Sequence, residues 1–151
     1  MKLRQYKLML LLAIVCVLPF EMKAMENQQD LRIQEVFNRY GKKRNVTMVE
    51  LSREMLETYG MKHYKSITIK DDAEALRFTR QCLESDQKGA KKIKEVTDDG
   101  GIISAYYQLP GSDKDLNRFI LFKVNTKGVI TLVYIEGELD SEDLITLLFV
   151  Q

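Results

Sequence analysis

The sequence predicts an α+β fold: a mostly antiparallel sheet of five or six strands with helices packed on one face, in a single domain. Three observations predict it. Apolar residues recur at helical spacing in the first half of the chain and at a spacing of two from Lys92 onward. Turn signals at "DDGG" (98–101) and "NTKG" (125–128) divide that second half into hairpins. Nothing in 151 residues suggests a second domain, since no period repeats and no Pro/Ser/Gly-rich linker interrupts the chain.

The first element is a leader. Lys2, Arg4 and Lys7 precede an unbroken apolar run from Leu8 to Phe20, after which Glu21, Lys23, Glu26 and Asn27 turn the chain polar. A basic start followed by a short apolar run matches a secretory signal peptide over residues 1–24. The run falls short of the roughly 20 residues a membrane-spanning helix needs. The competing reading is a core helix with a basic lead-in. Ala24 offers a small residue for cleavage, although Met22 stands where a second small one is preferred. Cys16 raises lipid attachment, which Val15 before it and the apolar Val17 and Leu18 after it disfavour.

The folded part is then residues 25–151. Removing 1–24 takes away Lys2, Arg4, Lys7, Lys23 and Glu21, leaving 19 basic against 21 acidic residues, a net charge near −2. Nucleic-acid binding wants a strongly basic face, so no nucleic-acid partner is expected. "KKR" at Lys42–Arg44 and "KKIK" at Lys91–Lys94 read as solvated loop or strand edge. One cysteine, Cys82, remains, so no internal disulfide can form.

Ile33, Val36, Phe37 and Tyr40 place a helix over Gln28–Tyr40, ended by Gly41 as a left-handed cap. "NVTMVEL" alternates and is β-branched, giving a strand from Val46 to about Glu50. Ser52 caps a short helix whose inner face is Met55, Leu56 and Tyr59, with Leu51 packing on Leu56 and Gly60 as the stop. "YKSITIK" alternates, with Lys65, Ile67 and Ile69 on one face. Asp71 and Glu74 resemble a capping box opening a helix to about Asp86, whose buried stripe is Ala75, Leu76, Thr79, Cys82 and Leu83, with Gly89 as the stop.

Strands Lys92–Thr97 and Ile102–Leu109 flank Asp99-Gly100, the dipeptide of a type I′ turn. Asn117–Val124 and Val129–Glu136 flank "NTKG", with Gly128 free for positive φ. "RFILFKV" and "VITLVYI" are apolar on nearly both faces and should lie centrally, while the lysines of "KKIKEVT" mark an edge. A helix over Ser141–Val150 closes the chain.

Chemistry is sparse. His63 and Cys82 are the only possible Cys/His pairing; Cys82 sits on an apolar helix stripe and His63 has no acidic neighbour in sequence to orient it. No Gly-x-Ser-x-Gly elbow, Cys-x-x-Cys or His-x-x-x-His spacing, or phosphate-binding glycine loop occurs. Tyr106 and Tyr107 point to opposite faces of one strand, one expected in the core and one on the rim. The densest acids are Glu136, Glu138, Asp140, Glu142 and Asp143. Asp140 is placed as the N-cap of the last helix, with Glu142 and Asp143 in its first turn, where they complement the helix dipole. Glu136 and Glu138 would share a face of a continuous strand, the geometry of an acid/base pair, although Gly137 suggests the strand bends or ends there. The cluster lacks the ligand spacing of a Ca²⁺ loop.

Together the leader, "VFNRYGKKRNVTMVELSREML" and the closing "YIEGELDSEDLITLL" resemble small secreted proteins of Bacteroidota that are grouped in families of unknown function. The resemblance covers nearly the whole mature chain. It implies export to the periplasm or cell surface, and it implies no activity, cofactor or catalytic residue.

The expectation is therefore an exported, non-enzymatic binding domain in the periplasm or at the cell surface. Its partner would be another envelope or secreted protein, and its only membrane contact would be the export signal. No catalytic, cofactor-binding or metal residue is assigned. The alternatives are an inhibitor of a secreted hydrolase, acting through a projecting "PGSDKD" loop, and a cryptic hydrolase using Glu136 and Glu138 or His63.

Overall fold

The computed structural model describes residues 31–111 and 113–149. The expected leader, with Cys16 and the Ala24 cleavage site, and the start of the expected first helix lie outside the described residues. Ten elements follow in chain order: α1 (Gln34–Tyr40), β1 (Val46–Glu50), α2 (Arg53–Thr58), β2 (Met61–Ile69), α3 (Ala73–Asp86), β3 (Lys91–Asp98), β4 (Gly101–Pro110), β5 (Asn117–Val124), β6 (Ile130–Gly137) and α4 (Ser141–Phe149). The strands form one open sheet in the order β1-β2-β6-β5-β4-β3, and every neighbouring pair is antiparallel. The α+β fold with a six-stranded antiparallel sheet is as the alternation predicts.

Strand order follows from hydrophobicity. β5 and β6 are apolar on both faces and occupy the two central positions, while lysine-rich β3 takes an edge. α3 carries the chain over one face of the sheet, from β2 near one edge to β3 at the other.

The helices do not all lie on one face, which corrects the expectation. Ile33 at the N-cap of α1, Val36, Phe37 and Tyr40 within it, and Ala75, Cys82 and Leu83 of α3 share a core with Ile67, Ile69, Ile120, Phe122, Ile130 and Leu132. A second cluster joins Leu144 of α4 and the half-buried Leu56 of α2 to Phe119, Ile135 and Tyr106. Residues 119 and 120 alternate across β5, so the two clusters lie on opposite faces. The physical reason was already in the central strands: apolar on both sides, they need cover on both sides.

Smaller corrections have local causes. Gly41 is right-handed (φ −61°), and its need for glycine is close approach, since a Cβ would lie 2.5 Å from the Phe37 carbonyl oxygen. Met55 and Tyr59 are exposed; α2 is too short to bury more than Leu56. The N-cap of α3 is Asp72, whose carboxylate accepts the Ala75 N–H at 2.9 Å, and Asp71 takes the positive φ (+53°) that leads into it. That helix ends at Asp86 as expected, with Gln87 rather than Gly89 as its C-cap. Neither Asp99 nor Gly100 has positive φ, so the β3–β4 turn is not type I′. Asp98 Oδ1 instead accepts the Gly100 N–H at 2.8 Å, and Gly101 takes φ +117° against the Arg80 side chain. Gly128 has positive φ (+78°), as expected.

Tyr106 and Tyr107 do face opposite sides, but both are buried. Tyr106 Oη donates to the Ser141 carbonyl at 3.2 Å and Tyr107 Oη to the Glu95 carboxylate. Burial pushes the Tyr106 phenol up to about 12.

Candidate functional site

The end of the sheet where β4 finishes and β5 begins gathers most of the buried charge. β6 places Glu136 there, and antiparallel register sets His63 of β2 opposite it on one side and Arg118 of β5 opposite it on the other. Residues directly opposite share a face, so His63, Glu136 and Arg118 form one cross-strand row. Alternation puts the row on the α1/α3 face with Ile120, Leu132 and Tyr134.

Glu136 is 4% exposed and Arg118 9%. His63 Nε2 stands 3.9 Å from Glu136 Oε1, with its own side chain 62% exposed. The acidic orienter that His63 lacks in sequence is thus supplied from the neighbouring strand. Burial first, and then the Glu136 carboxylate, hold the Tyr134 phenol above its ordinary range, while the Arg118 guanidinium that hydrogen-bonds it pulls the other way. Removing one member of such a buried charged set leaves another uncompensated, so the row is suited to holding a geometry.

What it holds is the base of the β4–β5 loop. Arg118 Nε donates to the Pro110 carbonyl at 2.8 Å. Asn117 Nδ2 donates to the Leu139 carbonyl at 3.0 Å, and its Oδ1 accepts from Gln108 Nε2 at 3.1 Å. The loop closes tightly: a Cβ on Gly111 would meet the Leu116 carbonyl oxygen at 2.0 Å, and the Leu116 N–H donates to the Asp113 carbonyl at 3.2 Å. Asp113, Lys114 and Asp115 are exposed on this frame. With Pro110, Gly111, Leu116 and Asn117, the first two of them line a surface depression of about 560 Å³. Another, of about 340 Å³, lies between α3 and the β3–β4 turn and is lined by Arg77, Arg80 and Glu84. His63, Glu136 and Glu138 line neither.

Glu136 and Glu138 are not brought together as a pair. β6 ends at Gly137, Glu136 is buried and Glu138 is exposed beyond it, with its N–H donating to the Gly60 carbonyl at 3.0 Å. Gly137 is where two backbones touch, since a Cβ there would lie 2.5 Å from the Gly60 carbonyl oxygen. Asp140 caps α4 as expected: its Oδ1 accepts the Asp143 N–H at 2.7 Å, and Asp143 Oδ2 accepts the Asp140 N–H at 3.4 Å, a reciprocal capping box. Cys82 is buried in the α1/α3 core and its thiol is pushed up to about 11, first by burial; His63 is not among the groups acting on it. Among the described residues no group of three or more His, Cys, Asp and Glu is placed to hold a metal ion.

Arg118 is the residue sequence reasoning missed. Its signal is readable in "RFILFKV", where alternation puts it on the same face as Ile120 and Phe122. An inward-facing arginine in an apolar strand asks for a buried partner.

The model of one protein family matches residues 20–148. The chain belongs to DUF6108, a family of unknown function. Curated proteins and solved structures give no match to it. The DUF6108 match covers every strand and nearly all of α4, so the braced loop and the charged row are parts of the family's domain. Its description assigns no activity, and the site's chemistry rests on geometry alone.

Proposed function

We propose that this chain is exported to the periplasm or cell surface and acts there by binding another envelope or secreted protein, not as an enzyme. One observation carries the binding reading. The β4–β5 loop presents Asp113, Lys114 and Asp115 to solvent on a base where Arg118 and Asn117 bond to Pro110 and Gln108 of β4 and to Leu139 of the β6–α4 connection. A recognition loop gains affinity when it is held in shape before binding, because less conformational entropy is lost on association. A buried charged row is an expensive feature to keep in a small domain, and holding such a loop gives it a use.

The export reading is supported by the basic and apolar lead over residues 1–24, and by the resemblance to small secreted Bacteroidota proteins. A narrower reading uses the same loop: a braced loop with three exposed charged residues suits insertion into the cleft of a secreted hydrolase, so that the partner is an enzyme and this chain its inhibitor.

The test compares wild-type bait with a variant carrying Asp113→Ala, Lys114→Ala and Asp115→Ala in pull-downs from envelope extracts, read by mass spectrometry. A protein recovered stoichiometrically by wild type and lost by the variant, at unchanged melting temperature, is expected. A hydrolase in that position selects the inhibitor reading. No partner for wild type, or one the variant retains, overturns binding through the loop. Export is checked by fractionation and intact mass: a processed chain outside the cytoplasm is expected, and an unprocessed cytoplasmic chain overturns it.

A further inference from the structure

The two edges of the sheet are built differently, and we propose that one of them, β1, pairs antiparallel with β1 of a second copy of this chain across a two-fold axis. Among the described residues β1 and β3 each have a strand neighbour on one side only. β3 exposes Lys91, Lys92 and Lys94, charges that deter pairing with another edge. β1, VTMVE, carries neither lysine nor proline, and its Thr47 and Val49 are exposed.

The backbone phase of β1 follows from one bond. Lys70 N–H donates to the Asn45 carbonyl at 3.1 Å, which makes Asn45 and Lys70 a hydrogen-bonded pair at the end of the β1–β2 ladder. In an antiparallel ladder such pairs alternate, so Thr47–Thr68 and Val49–Ser66 are the next two. The backbone groups of Val46, Met48 and Glu50 therefore point away from β2. Val46 N–H is turned back to the Lys43 carbonyl at 3.3 Å. The N–H groups of Met48 and Glu50 and the carbonyls of all three face outward.

Charge says what covers them. Lys42, Lys43 and Arg44 are exposed immediately before β1. Glu50 at its end and Glu54 and Glu57 on α2 are exposed immediately after, with Arg53 among them. Glu50 also stands 3.9 Å from Lys65 of its own chain. The edge thus runs from a positive end to a negative one. A second copy docked antiparallel sets each positive end against the other's negative end, whereas a parallel copy would set like charge on like. Antiparallel docking about a two-fold axis is also the arrangement that closes. Centred on Met48, it lets each Met48 N–H reach the other copy's Met48 carbonyl and each Glu50 N–H reach the other's Val46 carbonyl. Thr47 then stands beside Val49 of the second copy on the α2/α4 face.

Sedimentation equilibrium on the purified chain over a range of concentration and salt tests this. A dimer that weakens as salt rises is expected. Glu50→Pro removes an outward N–H without touching the β1–β2 ladder and should weaken dimerisation about tenfold relative to Glu50→Gln, which loses the same charge but keeps that donor. Reversing one end (Lys42→Glu, Lys43→Glu, Arg44→Glu) or the other (Glu50→Lys, Glu54→Lys) should leave each variant monomeric with the circular dichroism spectrum of the wild-type fold. An equal mixture of the two should recover a heterodimer within about tenfold of the wild-type Kd. A wild-type monomer throughout, a dimer indifferent to Glu50→Pro, or reversed variants whose mixture stays monomeric overturns the proposal. So does a different polypeptide found on β1 in place of the second copy. The loop variant at residues 113–115 leaves this association unchanged, so the two readings fail separately.

Discussion

Asp86, the last residue of α3, accepts the Ile33 N–H at 2.9 Å across 53 positions of sequence. Its other carboxylate oxygen accepts the Arg32 N–H at 2.7 Å. α1 has no side-chain cap of its own, so the orphan donors at its start are satisfied by a carboxylate from another helix, which also complements the helix dipole.

Burial holds the Asp86 carboxyl above its ordinary value of 3.8 despite those two hydrogen bonds. Between 3.8 and the raised value the folded chain binds more protons at this site than the unfolded chain, so the contribution of Asp86 to stability falls as pH rises through that interval. Asp86→Asn has no such slope, and it leaves one of the two N–H groups without an acceptor, a cost of about 1–3 kcal/mol. Denaturant unfolding of both proteins at several pH values checks this. The wild-type advantage should shrink as pH climbs from 3.8; an advantage that grows with pH contradicts it.

The row across β2, β6 and β5 predicts an asymmetry between its ends. Arg118→Ala removes a buried cation facing Glu136, together with the bonds to Pro110 and Tyr134, and should cost about 3–5 kcal/mol. His63 is mostly exposed, and His63→Ala should change stability by no more than about 0.5 kcal/mol. Equal losses from the two substitutions, measured by urea unfolding, would show that the row is not anchored at Arg118.

Asp140 and Asp143 satisfy each other's N–H groups at the start of α4. Asp140→Ala should cost about 1 kcal/mol, and the double variant with Asp143→Ala less than the sum of the singles, because each removes part of the same box. A thermal melt of Asp140→Ala that matches wild type would dismiss the capping role.

Cys82 should be chemically silent in the folded protein. Its thiol is buried and pushed up to about 11, and alkylation requires the thiolate. Mass spectrometry of the Cys82 peptide after iodoacetamide at pH 8 should show little modification in native protein and full modification after denaturation. Rapid labelling of native protein would mean that the α1/α3 layer opens readily.

Much of the architecture was legible residue by residue. The double-sided apolar character of "RFILFKV" and "VITLVYI" located the central strands, the lysines of "KKIKEVT" located an edge, and Asp140 located the start of α4. Where local reading slipped, two local options of similar energy competed. Asp71 and Asp72 could each cap α3, and the cap is Asp72, with Asp71 at positive φ before it. The sequence Asp99-Gly100 suits a type I′ turn, yet the Asp98 carboxylate and the Arg80 side chain moved the positive φ to Gly101.

Periodicity, capping and turn chemistry act over a few residues, so the chain read in one dimension specifies its elements and which face of each is apolar. It does not specify register. Register alone put Glu136 between His63 and Arg118 and made it the buried carboxylate among the five clustered acids. Those contacts span from 18 to 73 positions of sequence, and their energy exists only once the strands are paired.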